Sequence, residues 1–110
     1  MNYIKTLALG ILLTVSLTGF SQKASKYTEI NFRVEGKCEM CETRIENALD
    51  IKGIKIADWD LSTKNCRVVY KTELFKETEI HQLLANIGHT TEKVKTSQEA
   101  YDGLHGCCKY

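Results

Sequence analysis

The sequence predicts an α+β fold in which two helices cover one face of a four-stranded antiparallel sheet. Alternating apolar residues, which indicate half-buried strands, recur between residues 28 and 94. Two other segments repeat their apolar residues at helical spacing. Short polar connections separate the elements. Their order is strand, helix, strand, strand, helix, strand, which is the βαββαβ or ferredoxin-like arrangement.

The first strand is predicted over residues 28–34, where Ile30, Phe32 and Val34 share one face. Gly36 and Lys37 form the loop after it.

The first helix follows this loop and ends before residues 50–53. Its apolar positions are spaced by four, three and one residues, which marks a single stripe. The stripe consists of Cys41, Ile45, Ala48 and Leu49.

The second strand is predicted over residues 54–61, with a change of phase near Ile56 and Ala57 that indicates a bulge. Trp59 is assigned to the core or the sheet surface. Polar residues 62–65 lead into the third strand. In that strand one face carries Cys66, Val68 and Tyr70.

The second helix ends at Gly88, which is well placed as its C-terminal cap. Residues 89–94 are predicted to form the fourth strand. His81 lies off the apolar stripe of the helix, so it is predicted to face solvent. The stripe consists of Ile80, Leu83, Leu84 and Ile87.

Residues 1–21 have the pattern of an export signal. Lys5 precedes a mostly apolar run over residues 7–17, and small residues occupy the third and first positions before a cut between Ser21 and Gln22. A bilayer span takes ~20 residues, so the run favours cleavage over a retained anchor. The sequence therefore predicts an exported, periplasmic protein, with the retained anchor as the alternative.

The expected organisation has four parts. They are a signal peptide (1–21), a linker (22–27), one folded domain (28–95) and a tail (96–110).

Charge argues against a nucleic-acid partner. The chain has 15 basic and 14 acidic side chains. Cleavage of residues 1–21 removes only Lys5, so the two counts become equal. Binding to phosphates needs a basic excess, which is missing here.

Five cysteines all lie after residue 21. An oxidising compartment favours disulfides, but an odd number leaves at least one thiol free or paired between molecules. Cys66 is predicted to pack as a small apolar residue in the third strand.

Cys38 and Cys41 are three residues apart at the start of the first helix. Free backbone N–H groups and the positive end of the helix dipole stabilise an anion in the first turn, which favours the thiolate form of Cys41. Thiolates bind soft metal ions, so this pair is the predicted metal site.

With these elements in order, residues 28–95 resemble the heavy-metal-associated domain family, which includes copper chaperones, modules of metal-pumping ATPases and the periplasmic mercuric-ion binding protein. The residues that carry the resemblance are Cys38, Cys41, Arg44-Ile45-Glu46, Gly53-Ile54, the hairpin of residues 61–70, and Ile87-Gly88.

The resemblance implies that Cys38 and Cys41 bind one soft cation. The methionine that most members carry before the first cysteine is missing, because Gly36 and Lys37 precede Cys38. His89 occupies the position that faces the metal loop in relatives. It is either a third ligand or hydrogen-bond partner of a thiolate, or an exposed residue without a role.

Two thiolates satisfy Cu(I) or Hg(II) almost linearly, whereas Zn(II) generally needs four ligands. Cu(I) is therefore the first expectation, Hg(II) the second and Zn(II) the third. The expected partners are the ion and a metal-transporting membrane protein or another thiol-bearing carrier. The protein is expected to be a monomer or a metal-bridged dimer.

The tail adds His105, Cys107 and Cys108 within four residues. The sequence is compatible with three interpretations of these residues: ligands that fold back over the motif, a separate metal site, or cysteines in a disulfide. Tyr101 and Leu104 either dock the tail or belong to a disordered terminus.

No paired carboxylates, nucleophile triad or phosphate loop indicates catalysis, so a non-enzymatic binding and delivery protein is expected. The first alternative is thiol–disulfide exchange through Cys38 and Cys41. The second is a structural domain in which these cysteines form an inert bridge.

Overall fold

The computed structural model describes residues 26–110. The predicted signal peptide and most of the predicted linker lie outside these residues. Within the described part, no helix combines the length and apolar character needed to cross a membrane. The elements are β1 (Tyr27–Arg33), α1 (Glu39–Ala48), β2 (Ile54–Trp59), β3 (Asn65–Lys71), α2 (Glu77–Asn86), α3 (Gln98–Asp102) and a 3₁₀ turn (Gly106–Cys108).

The strands form one antiparallel sheet with β3 in the centre, in the order β1-β3-β2. Cys66 lies opposite both Phe32 and Trp59, which places three buried side chains in one row. A register shift between Ile54 and Ile56 marks the irregularity of β2. It lies slightly earlier than the predicted bulge.

The prediction of a fourth strand over residues 89–94 is wrong, because the described sheet has three strands. A single antiparallel bridge joins Val34 to Thr91. Two backbone hydrogen bonds flank it, from the N–H of Glu92 to the carbonyl of Arg33 at 3.0 Å and from the N–H of Glu35 to the carbonyl of Thr90 at 2.8 Å.

Thr91 explains why pairing stops there. Its hydroxyl oxygen accepts hydrogen bonds from the backbone N–H groups of Lys93 at 3.2 Å and Val94 at 3.0 Å. Its own N–H bonds the carbonyl of Val94 at 2.9 Å. Such local bonds compete with a strand ladder, and here they turn the chain away from β1.

Both helices bury most of their predicted stripes in one core on one face of the sheet, which confirms the predicted helices. Trp59 and Cys66 are fully buried within it. The core consists of Phe32, Val34, Cys41, Ile45, Leu49, Trp59, Cys66, Val68, Tyr70, Ile80, Leu84, Leu104 and Cys108.

Gly88 follows α2 with a φ of +103°, a left-handed conformation that favours glycine. A Cβ atom here would lie 2.7 Å from the carbonyl oxygen of Ala100 and 2.9 Å from Leu104. The turn after α2 is therefore also the surface on which the tail packs.

The prediction that His81 faces solvent is wrong, because its side chain is fully buried. Its Nδ1 lies 2.6 Å from the hydroxyl of Thr91, and its ring centroid is 4.0 Å from that of Phe32. The segment that replaces the fourth strand thus covers this part of α2, a contact that helical periodicity does not reveal.

Burial makes stability depend on His81 at mildly acidic pH. Desolvation lowers its pKa from 6.5, opposed by Glu77 and Glu92 and assisted by Lys93. Below pH 6.5 the unfolded chain therefore binds the proton that the folded chain resists. The free energy of unfolding must fall as pH drops from 6.5 towards the folded pKa.

We expect His81→Gln to flatten this acid limb by up to ~1.4 kcal/mol per pH unit, the limit for one proton. Urea unfolding of the reduced, metal-free protein between pH 5 and pH 8 measures the slope. His105→Gln, which replaces an exposed histidine, is the matched control. Equal slopes in wild type and His81→Gln would contradict the assignment.

Candidate metal centre

The cysteine motif lies where the loop after β1 enters α1. Cys38 is the N-cap, in extended conformation with φ −148° and ψ 169°. Its carbonyl accepts the N–H of Cys41 at 2.9 Å and of Glu42 at 3.3 Å, which begins the helix. Cys41 therefore lies in the first helical turn.

The two motif sulfurs are 3.3 Å apart. Cys41 is fully buried, whereas Cys38 is partly exposed. The backbone N–H of Lys37 points at the Cys41 sulfur from 3.5 Å. Both side chains thus face one point at the edge of the domain, with one sulfur accessible from outside.

Trp59 supports this loop from below. A Cβ atom on Gly36 would lie 3.0 Å from both the indole ring and the Cβ of Cys41, so only glycine fits without displacement. The indole Nε1 donates to the carbonyl of Val34 at 3.1 Å. Lys64 donates its ammonium to the carbonyl of Gly36. These contacts fix the backbone that delivers Cys38.

His89 supports the same loop from the other side. It is fully buried, and its Nδ1 donates to the carbonyl of Glu35 at 2.7 Å. Its Nε2 is buried without a hydrogen-bond partner. Burial lowers its pKa, so the ring is neutral. His89 is not an exposed residue, and the described contacts give it a loop-anchoring bond rather than one to a thiolate.

The 3₁₀ turn brings two further thiols to the motif. The Cys38 sulfur lies 2.8 Å from that of Cys107 and 3.6 Å from that of Cys108. Cys108 is fully buried, whereas Cys107 is exposed. The sulfurs of Cys38, Cys41 and Cys108 all lie within 4.8 Å of one another.

The tail docks through side chains on both sides of these cysteines. Leu104 is 5% exposed and packs at Gly88. The Tyr110 hydroxyl donates to the carbonyl of Gly88 at 2.8 Å and accepts the N–H of Thr90 at 2.9 Å. Tyr101 donates its hydroxyl to the backbone carbonyl of Tyr110. The position of Cys108 is therefore set by packing and hydrogen bonds.

The described structure does not place His105 among these sulfurs. Its side chain is exposed, and its carbonyl accepts the N–H of Cys108 at 2.8 Å. It acts as the cap of the 3₁₀ turn.

The thiols differ in acidity. Burial opposes ionisation of Cys38, but hydrogen bonds from Cys107 and Cys41 outweigh it and lower the pKa of Cys38 to about 6. The pKa of Cys107 is raised, chiefly by its hydrogen bond to Cys38. Burial raises the pKa of Cys108 and that of Cys66, the latter to about 12. Cys38 is thus a thiolate near neutral pH, while Cys66 stays protonated.

Two supporting residues escape sequence reasoning. Lys64 lies in the β2–β3 turn with a φ of 66°. Its ammonium donates to the carbonyl of Gly36, which lies 28 residues earlier in the chain. Tyr110 anchors the tail at the Gly88 turn. A polar turn lysine and a tyrosine beyond the domain carry no local signal for such contacts.

A small α+β domain with a paired-thiol site at the mouth of its first helix defines a class of soft-metal binding modules. The family model for the heavy-metal-associated domain matches residues 31–90. The chain belongs to the heavy-metal-associated domain family, and this membership supports a heavy-metal-binding role. No curated protein sequence matches it significantly.

Solved structures share the fold. The CopZ metallochaperone is 24% identical with a TM-score of 0.55, covering 58% of this chain and 98% of its own. Oxidized MerP from Ralstonia metallidurans CH34 is 16% identical with a TM-score of 0.56, and the match covers 60% of this chain and 94% of the MerP chain. A third structure is the N-terminal domain of a potential copper-translocating P-type ATPase from Bacillus subtilis in the Cu(I)-loaded state. It is 22% identical with a TM-score of 0.57, and the match covers 71% of this chain and 99% of that domain.

Proposed function

We propose that this protein binds a soft metal ion through the thiolates of Cys38 and Cys41 and sequesters it or delivers it by ligand exchange. Cu(I) is the leading ion, ahead of Hg(II) and then Zn(II). The observation that carries the proposal is the convergence of the two sulfurs, 3.3 Å apart at an accessible edge. Polarisable sulfur prefers such ions, whereas oxygen ligands suit harder ones.

Partial exposure of Cys38 supports delivery as well as storage. An incoming thiolate can form a bond to the ion from the solvent side while a bond to Cys38 breaks, so the ion changes ligands without becoming free. Fitting acceptors are a metal-transporting membrane protein or another thiol-bearing carrier. In agreement, the solved structures with this fold include a metallochaperone and a domain of a potential copper-translocating ATPase.

Exchange of this kind needs no turnover chemistry, and we propose a non-enzymatic carrier that acts as a monomer or a metal-bridged dimer. We further propose that it works outside the inner membrane. That location is supported by the signal-like pattern of residues 1–21.

Anaerobic titration of the reduced protein with Cu(I), against a chromophoric Cu(I) chelator, tests binding. We expect one ion per chain. Failure to withdraw Cu(I) from the chelator would overturn the proposed binding.

Stopped-flow transfer from the loaded protein to a second dithiol carrier tests delivery. Ligand exchange predicts a rate that rises with the concentration of the acceptor. A rate independent of acceptor concentration would mean that the ion dissociates first, and it would overturn delivery by exchange.

One observation favours thiol–disulfide exchange as a second candidate: the exposed Cys107 sulfur lies 2.8 Å from that of Cys38. A disulfide between them would form with loss of two protons and two electrons to an external disulfide oxidant. Insulin reduction by the reduced protein tests this. Acceleration beyond that of equimolar glutathione would support it, and an equal rate would exclude it.

A further inference from the structure

The 3₁₀ turn buries one of its two adjacent thiols and leaves the other exposed, although the Cys107 sulfur also lies 2.8 Å from that of Cys38. Successive residues in such a turn point ~120° apart, so the two neighbouring side chains extend in different directions. Cys108 is fully buried with its sulfur 3.6 Å from that of Cys38, whereas Cys107 is exposed. Cys108, and not Cys107, joins Cys38 and Cys41 in the group of mutually close sulfurs.

Sulfur spacing in the motif favours more than two ligands. With metal–sulfur bonds of ~2.3 Å, two sulfurs in linear coordination lie ~4.6 Å apart and two in trigonal coordination lie ~4.0 Å apart. The Cys38 and Cys41 sulfurs are 3.3 Å apart. Trigonal coordination therefore needs a smaller separation of these two sulfurs than linear coordination does, and it leaves one side of the ion open for a further ligand.

The third sulfur already lies on that side. The Cys38 and Cys108 sulfurs are separated by 3.6 Å, close to the trigonal spacing. Small outward shifts of each sulfur would suffice to admit an ion.

Docking of the tail on the domain holds the Cys108 sulfur beside the motif. Leu104 before the turn and Tyr110 after it both contact the Gly88 corner, through packing and through a 2.8 Å hydrogen bond. A ligand fixed on both sides loses little conformational freedom when it binds an ion.

We propose that Cys108 supplies the third thiolate of a three-sulfur site with Cys38 and Cys41. The site then suits soft ions that accept trigonal sulfur coordination, with Cu(I) as the case to test. Formation of the three sulfur–metal bonds releases to solvent whatever protons the three thiols still hold. This inference rests on the proposed function, because Cys38 and Cys41 remain two of its three ligands.

X-ray absorption of the Cu(I)-loaded, 22–110 chain tests the proposal, with a sulfur-free phosphine as reductant so that no external thiol adds a ligand. We expect three sulfurs in the wild type and two in Cys108→Ser. Loss of a tethered ligand should also weaken Cu(I) binding on the order of tenfold or more, measured against the chelator. Cys107→Ser is the matched control, because Cys107 lies outside the group of mutually close sulfurs, and it should keep three sulfurs.

The outcomes separate the two proposals. Two sulfurs in the wild type, or three sulfurs kept in Cys108→Ser and lost in Cys107→Ser, would overturn the role of Cys108 while leaving the motif site intact. Absence of Cu(I) binding to the wild type would overturn the proposed function itself. Because Cys108 is buried, far-UV circular dichroism and Cys108→Ala verify that a changed sulfur count does not come from unfolding. A wild-type count of two sulfurs would overturn the role of Cys108 even if both variants unfold.

Discussion

Replacement of both Cys38 and Cys41 by serine is expected to abolish stoichiometric Cu(I) binding, with a loss of affinity on the order of 10³-fold or more. A serine hydroxyl is a hard ligand and stays protonated at neutral pH, so it cannot replace a thiolate on a soft ion. Only Cys108 would remain of the three close sulfurs. Competition with a Cu(I) chelator under anaerobic conditions measures the change.

Cys66→Ala provides the matched control for this double variant. Cys66 is also a thiol, but it is fully buried in β3 and lies outside the group of close sulfurs. Its removal should leave one Cu(I) per chain at unchanged affinity. Undiminished binding by the double serine variant would exclude the motif as the metal site.

Replacement of Trp59 by alanine is expected to cost the largest part of the folding free energy of any single change in the core. Its side chain is fully buried, and removal of a buried aromatic typically costs ~3–5 kcal/mol. The carbonyl of Val34 would also lose the indole hydrogen bond. Native domains are stable by only ~5–15 kcal/mol, so a substantial unfolded fraction is expected.

Urea unfolding followed by far-UV circular dichroism measures this loss. Trp59→Phe keeps most of the ring volume but removes the N–H donor, so an intermediate cost of ~1–3 kcal/mol is expected. Leu74→Ala is the surface control, because Leu74 is 49% exposed and should change stability by less than ~1 kcal/mol. A Trp59→Ala variant as stable as the Leu74 control would refute the role of the indole.

Trp59 connects stability with the metal centre. Its ring limits the space above Gly36 and contacts the loop that leads to Cys38. Pairing of β2 with β3 places Trp59 opposite Cys66, and so it also positions the indole ring that supports the motif loop. The same side chain therefore belongs to the core and supports the loop that carries the motif.

Local patterns predicted most of the fold because each element carries its own signal. Helical stripes gave both main helices, alternation gave three strands, and the glycine after α2 marked its end. Two predictions, the fourth strand and the exposure of His81, were wrong for one reason. Thr91 bonds the backbone that follows it, so no fourth strand forms, and the same residue contacts His81 and covers it. A threonine in a segment of alternating apolar residues gives no local signal that it will bond the following backbone instead of continuing a strand.

Spacing along the chain was enough to identify the motif pair, since Cys38 and Cys41 are neighbours in any helix that begins between them. Sequence spacing could not predict the position of the tail. Cys107 and Cys108 are 69 and 70 residues from Cys38, and their approach depends on the surface that the packed elements between them present. Packing at the Gly88 corner accompanies burial of Cys108, while Cys107 stays exposed beside Cys38. Short-range periodicity thus determines that Cys38 and Cys41 lie together at the start of α1. Contacts between elements that are distant in sequence determine which further thiols lie beside this pair.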